Sequence, residues 1–211
     1  MSDTLHTWFE AKIRYEKVAE NGMTKKVTEP YLIEALSFTE AESRIIEELV
    51  PYISGEFAVS GIKRANYSEV FTSDKEEDDR WFKCKINFIT LDEKSGAEKK
   101  VASYMLVQAA DLRVAVKNLD ESMKGTMADY EIASIAETAI MDVYPYESKQ
   151  ESDQYHGVTH EDVEKTPSVS ALIDECPVGK TMTVNIGNRE VTVDRTNPDN
   201  TVVRPMAATG N

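Results

Sequence analysis

The sequence of 211 residues is poor in cysteine, since it contains only Cys84 and Cys176, in different regions of the chain. Two such cysteines do not form the disulfide framework on which small secreted domains depend. No run approaches the roughly 18 apolar residues of a membrane span. The N-terminus lacks the basic and apolar regions of a signal peptide. These absences predict a cytoplasmic protein that does not contact a membrane.

The common motifs of catalysis and cofactor binding are also missing, including G-x-S-x-G, H-E-x-x-H and the dinucleotide fingerprint. Gly179-Lys180-Thr181 ends like a phosphate-binding loop, but Asp174 stands where its first glycine should be, and a strand is predicted to follow. His156 and His160 have the spacing of helical metal ligands, but Gly157 disfavours a continuous helix between them. The sequence therefore predicts a protein that is not an enzyme and that binds neither a metal ion nor a cofactor.

The net charge of −14 would repel nucleic acid if it were spread evenly. Residues 74–79 carry −4 and residues 147–175 carry −6, so about −4 remains for the rest of the chain. Acidic runs in connecting segments are usually solvated loops. The remaining chain is close enough to neutral that a polyanion is not excluded as a ligand.

The strongest pattern in the sequence is an internal repeat. A shift of 73 positions aligns Trp8–Tyr15 with Trp81–Phe88. The same shift aligns large apolar residues near the end of each copy, which are Phe57, Val59, Ile62, Val70 and Phe71 in the first and Tyr130, Ile132, Ile135, Val143 and Tyr144 in the second. A shared offset at both ends predicts a duplicated domain.

Each copy has the pattern of two strands, a helix and a long strand. Apolar and polar residues alternate in 8–18 and 81–91, which is the period of a half-buried strand. Thr39 and Glu42 predict a capping box at the first helix, in which Ala41, Ile45, Ile46 and Leu49 have core spacing. Asp111 begins the second helix, with Leu112, Val116 and Leu119 inward. Gly61 and Ser134 are the positions at which each long strand is expected to bulge or break. The predicted fold class is α+β, a duplicated β-β-α-β(β) unit with mostly antiparallel sheets covered by two helices.

The remaining boundaries follow from composition. We expect a first repeat at 1–73 and a second at 80–146, packed about a pseudo-twofold axis as one domain. Residues 147–158 are a polar linker, and 159–196 hold a short helix and a β-hairpin that should dock on the core because it is too small to be stable alone. Residues 197–211 are expected to be a flexible tail.

Candidate binding residues lie on the outer side of the matched strands, where alternation places a tryptophan beside cations. These residues are Trp8, Lys12 and Arg14 in the first copy and Trp81, Lys83 and Lys85 in the second, with Lys25, Lys26, Lys99 and Lys100 near the hairpin ends. Bases of a single strand stack on aromatic rings for roughly 1–3 kcal/mol each, while cations neutralise phosphates.

Two other interpretations of the same residues stay open. A tryptophan at a strand start often packs under a neighbouring loop, and lysines on a sheet face keep it soluble. Alternatively, the tryptophans could form a seam between subunits of a homo-oligomer. Cys84, on the apolar side of its strand, is expected to be a core thiol.

Three segments, Trp8–Tyr15, Leu36–Glu42 and Ile135–Tyr146, resemble an uncharacterised domain family of gut Bacteroides-type bacteria and their tailed phages, including crAss-like phages. The similarity covers about residues 6–146. The family has no activity to transfer, so it implies no catalytic residue. It does imply a phage or mobile-element setting, in which small non-enzymatic proteins often protect single strands or bind host immune signals.

The resulting hypothesis is a non-enzymatic accessory protein that binds single-stranded DNA through the tryptophan and lysine faces. The first alternative is a dimeric protein that sequesters a small nucleotide signal to disarm host defence. The second is a structural or scaffolding protein.

Overall fold

The computed structural model describes residues 6–19, 22–91, 97–146, 176–186, 189–197 and 200–205. The predicted linker at 147–158, the short helix at 168–175, His156 and His160 lie outside these ranges. The elements along the chain are β1 (Thr7–Val18), β2 (Thr24–Ala35), α1 (Phe38–Leu49), β3 (Phe57–Arg64), β4 (Glu69–Phe71), β5 (Arg80–Leu91), β6 (Glu98–Ala109), α2 (Leu112–Ser122), β7 (Tyr130–Glu137), β8 (Val143–Tyr144), β9 (Thr181–Ile186), β10 (Arg189–Asn197) and β11 (Asn200–Pro205).

The chain divides into two compact units. The first unit comprises Met1–Ala65 with Val143–Asn211, and the second comprises Asn66–Asp142. The sheet of the first unit has the order β8-β2-β1-β3-β11-β10-β9, and that of the second has the order β4-β6-β5-β7. Every pairing is antiparallel except β2 with β8 and β4 with β6. The predicted α+β class with mostly antiparallel sheets is confirmed.

In the first unit, alternation along β1 buries Phe9, Ala11 and Ile13 against α1, as predicted. All four α1 residues predicted to face inward (Ala41, Ile45, Ile46 and Leu49) are buried. The N-cap of the helix lies two residues before the expected one. Ser37 accepts a bond from the Glu40 amide at 3.2 Å, and the Glu40 carboxylate accepts one from the Leu36 amide at 2.7 Å. The capping box is therefore Ser37–Glu40 and not Thr39–Glu42, because Ser37 is the residue with extended backbone.

In the second unit, α2 covers a core that includes Cys84, Ile86 and Met105. Asp111, where the helix was predicted to begin, is its N-cap and accepts bonds from the amides of Arg113 and Val114. The inward face is Ala115 and Leu119, whereas Leu112 and Val116, which spacing placed inward, are exposed. The burial of Cys84 confirms the core thiol, and burial raises its pKa to about 11.

Elements recur in the same order in both units: two paired strands, a helix and a third strand. Each third strand has a register shift at the predicted place, opposite Lys12/Ile13 in β3 and opposite Lys85/Ile86 in β7. Each is followed by a short strand that joins the other sheet, since β4 pairs with β6 and β8 pairs with β2. The compact units therefore do not follow the repeat boundaries of 1–73 and 80–146. The duplication itself stays a prediction.

The C-terminal hairpin is present as β9 and β10 and connects to the core as expected. The connection is β11, in the segment predicted to be a flexible tail. Residues 201–203 pair with 57–59 of β3 while β11 also pairs with β10. The tail prediction was wrong for these residues because Val203 and Thr201 alternate inward and are buried, which is the pattern of a strand and not of a frayed end.

Candidate nucleic-acid interface

The predicted outer face of β1 is open only over part of its length. Lys12 and Arg14 are exposed, and neither has an ion-pair partner among the residues that the structure describes. Trp8 is half-buried. Leu32 lies on the same side of the sheet near Trp8 and is completely buried. The cations of β1 are accessible to a ligand, but the tryptophan end of this face is largely closed.

On the second matched strand the expectation of an exposed tryptophan is wrong. Trp81 is only 3% exposed and shares its side of the sheet with Leu106, which is fully buried. A large aromatic ring contributes most to stability when it is removed from water. Trp81 therefore serves packing, and no continuous track of two exposed indoles exists.

The predicted cations of the second unit differ in their availability. The Lys83 amino group lies 4.6 Å from the ring centre of Tyr104 and 5.8 Å from that of Tyr67, in cation–π range. Lys100 bonds both carboxylate oxygens of Glu131 at 2.8 Å. Lys85 is half-buried, and Lys99 is exposed. Lys83 and Lys100 are therefore engaged in internal contacts, and none of the four lysines lines the groove of the first unit described next.

The first unit contains an open groove of about 1150 Å³ beside residues 14–18 of β1. Its walls are the end of β1, the start of β2 and the loop that follows α1. Three cations line it, namely Arg14, Lys17 and Lys26. Tyr52, on the loop wall, is 77% exposed, so its ring is available for stacking. Of the predicted residues the groove brings together Arg14 and Lys26, while Lys25 is exposed on β2 next to Lys26.

Two further tyrosines of the groove are tied to a partly buried acid. The Tyr15 hydroxyl donates to Glu29 at 2.6 Å, and the Tyr31 hydroxyl does so at 3.4 Å. Burial, then the bond to the Glu29 carboxylate, raises the pKa of Tyr15 well above its usual value. Lys17 lies 3.5 Å from the same carboxylate. This cluster holds the tyrosine rings and the Lys17 amino group in fixed positions on the groove wall.

The acids of the groove are largely neutralised. Glu56 accepts a bond from Arg204 at 2.6 Å, and Glu16 lies 3.9 Å from Lys26. Arg14 has no such partner within the described part of the chain. The groove is therefore weakly positive although the protein as a whole is acidic.

A family model described as a domain of unknown function, DUF4494, matches residues 7–146. The chain belongs to this family. The match agrees with the resemblance to an uncharacterised family and covers β1 to β8, whereas β9 to β11 lie outside it. No curated protein matches the chain.

Within this DUF4494 chain, the groove chemistry is confined to the first unit. The strand register places Phe88, Ser103 and Met105 where the first unit has Tyr15, Glu29 and Tyr31. The second unit thus keeps the packing and lacks the polar cluster. The matched strands of the two units therefore have different surfaces at equivalent positions, which is the difference that a ligand site in one unit would produce.

Sequence reasoning missed Lys17, Tyr52 and the Glu29 cluster. One signal was available: Glu29 occupies an inward position of β2 between inward Val27 and Tyr31, where an apolar residue is the rule. Tyr52 gave no signal, because a tyrosine after a helix is ordinary in a loop. Within the described residues, no helix has the length and apolar character to cross a bilayer. The same residues contain no cluster of three or more His, Cys, Asp or Glu that could hold a metal ion.

Proposed function

We propose that the protein binds single-stranded nucleic acid without catalysing a reaction on it, as a cytoplasmic accessory protein of a phage or mobile element. The binding surface is the groove of the first unit and not the pair of tryptophan faces. The observation that supports this function is the exposed ring of Tyr52 in an open groove that Arg14, Lys17 and Lys26 also line. The phage setting depends on the family resemblance alone.

The groove supplies both interactions that a single strand requires. A base stacked on Tyr52 contributes roughly 1–3 kcal/mol whatever its identity, so the interaction is tolerant of sequence. Arg14, without a competing carboxylate, can bind a phosphate. The strand register places Arg14 and Lys26 on the outer side of the sheet and Lys17 on the inner side with Tyr15, so the three cations line the groove from both faces of β1 and β2. The volume of about 1150 Å³ exceeds the roughly 300–1,000 Å³ of small-molecule pockets. An open site of this size favours several nucleotides over one.

The first test measures binding of a fluorescent 20-nucleotide oligothymidine by anisotropy at low salt. With about three phosphates neutralised, the logarithm of the affinity should fall with the logarithm of salt concentration with a slope of about −2. Tyr52→Ala should weaken binding about tenfold or more, since it removes one stacking surface. Tyr52→Phe should bind nearly as well as the natural protein.

The charge test compares two double variants of equal charge change. Arg14→Ala with Lys26→Ala removes two groove cations and should weaken binding strongly. Lys99→Ala with Lys124→Ala removes two exposed lysines of the second unit and should have little effect. Absence of binding at low salt, or equal losses in both double variants, would contradict the proposal.

A small nucleotide signal is the second candidate for the same groove. It is favoured by the aromatic part of the wall, to which Tyr15, Tyr31 and Phe57 contribute. A ligand that binds only the folded protein raises its melting temperature. A panel of cyclic nucleotides and ADP-ribose derivatives should therefore stabilise the protein under this candidate and leave its melting temperature unchanged under the first.

A further inference from the structure

The two third strands differ in what lies on their outer edges. In the first unit, β3 pairs with β1 on one side and with β11 on the other. In the second unit, β7 pairs with β5 only, among the residues that the structure describes. The positions of β3 that pair with β11 are Phe57, Ala58 and Val59. The shift of 73 positions and the strand pairing place Tyr130, Glu131 and Ile132 at the equivalent positions of β7.

The backbone of β7 presents unpaired groups at these positions. The Ile89 amide donates to the Asp129 carbonyl at 2.8 Å. Because hydrogen-bonded residues alternate along an antiparallel pair, Glu131 also points its backbone groups towards β5, and those of Tyr130 and Ile132 point away from it. The free edge therefore has the same donors and acceptors that β3 uses to hold β11.

Burial on the two edges agrees with this difference. Phe57 and Val59, beside β11, are 1% and 4% exposed. Tyr130 and Ile132 are only half-buried. An added strand with an apolar side chain facing the α2 side would cover them, as Val203 of β11 does for Phe57 and Val59.

Charge at the end of the edge indicates what the added strand should carry. In the first unit, Arg204 of β11 donates to Glu56, one residue before β3. The equivalent residue before β7 is Asp129, which is exposed and has no ion-pair partner among the described residues. A carboxylate in this place is complementary to an arginine at the matching position of an incoming strand.

We propose that the β7 edge binds an extended segment of a partner protein by antiparallel strand addition. The segment has β-branched residues at alternate positions opposite Tyr130 and Ile132, as Val203 and Thr201 are in β11, and an arginine opposite Asp129. Main-chain bonds supply affinity in such complexes, and the side-chain contacts select the sequence. This inference concerns the second unit and does not depend on the nucleic-acid groove.

The test uses the full-length chain and a synthetic peptide with the sequence of residues 199–205, Asp-Asn-Thr-Val-Val-Arg-Pro. Millimolar peptide should slow hydrogen exchange of the Tyr130 and Ile132 amides, observed residue by residue by NMR. Asp129→Lys should weaken the peptide about fivefold or more. A peptide with glutamate in place of its arginine should recover affinity for Asp129→Lys and lose it for the natural protein, which distinguishes a charge contact from misfolding.

Glu137→Lys is the matched control, because it makes the same charge change at the far end of β7, outside the three pairing positions. Its peptide affinity should equal that of the natural protein. Unchanged amide exchange at millimolar peptide, or equal losses in both lysine variants, would overturn the proposal. Slow exchange of both amides in concentrated protein without peptide would overturn it as well, by assigning the edge to a second copy of the chain.

Discussion

Asp78 holds the loop between β4 and β5 although it lies in the most acidic run of the described chain. Its side chain is 3% exposed. One carboxylate oxygen accepts a bond from the Ala110 amide at 2.8 Å, and the other accepts bonds from the Ser73 hydroxyl and the Asn118 amide group. Burial alone would raise the pKa of this carboxyl, but the three hydrogen bonds outweigh it and lower the pKa below its usual value.

Asp78→Asn should therefore destabilise the protein by about 2 kcal/mol at neutral pH, since an amide cannot accept all three bonds. A carboxyl with a lowered folded-state pKa stabilises the fold above its unfolded pKa of about 4, and this contribution is lost as pH falls through the folded-state value. The stability difference between the natural protein and the variant should shrink below pH 4. Urea unfolding at pH 7 and at pH 3 measures it, and a difference that is constant with pH would contradict the assignment.

Single residues also mark the limit of sequence reasoning here. Alternation correctly assigned Phe9, Ala11 and Cys84 to the interior, because a strand gives each side chain only two directions. The same rule placed Trp8 and Trp81 on the outer sides of their strands but could not indicate whether those sides are exposed to solvent. Trp81 is buried through tertiary packing, about which a local period carries no information.

At the scale of elements, the start of α1 offers a comparison between a predicted cap and the observed one. Ser37→Ala should cost about 1 kcal/mol, because it removes the side chain that satisfies the Glu40 amide. Thr39→Ala, the control, should change stability by only a few tenths of a kcal/mol, since Thr39 is exposed and lies inside the helix. Thermal unfolding of both variants shows which residue is the cap, and a larger loss of stability for Thr39→Ala would contradict the observed cap at Ser37.

Both helices, nearly all strands and the hairpin pairings could be predicted from the sequence, whereas the pairings between distant strands could not. The register shifts at Gly61 and Ser134 were expected from a glycine and from the repeat. The pairing of β4 with β6 and of β8 with β2 was not expected, because strands of two or three residues have too short a pattern to indicate their neighbour. The groove was also missed. It forms where the ends of β1 and β2 meet the loop after α1, and the sequence does not indicate which ends meet.

At the scale of the whole molecule, β11 completes the first unit from the far end of the sequence. A chain ending at residue 199 should lose at least about 2 kcal/mol of stability, because Val203 is fully buried in that core. Hydrogen exchange at Phe57 and Val59 should become faster, while exchange at Tyr130 and Ile132 should not change. Equally faster hydrogen exchange at β3 and β7 would contradict the assignment of β11 to the first unit alone.

The path of the chain has a consequence for the order in which the protein can fold as it is made. Residues 66–142 form one uninterrupted stretch and contain every strand of the four-stranded sheet. The seven-stranded sheet needs Val143–Tyr144 and then 200–205 before it is complete. On a ribosome, residues 66–142 can therefore form their sheet before the first unit is complete. β2 and β3 are made early, but they gain their outer partners, β8 and β11, only after those residues.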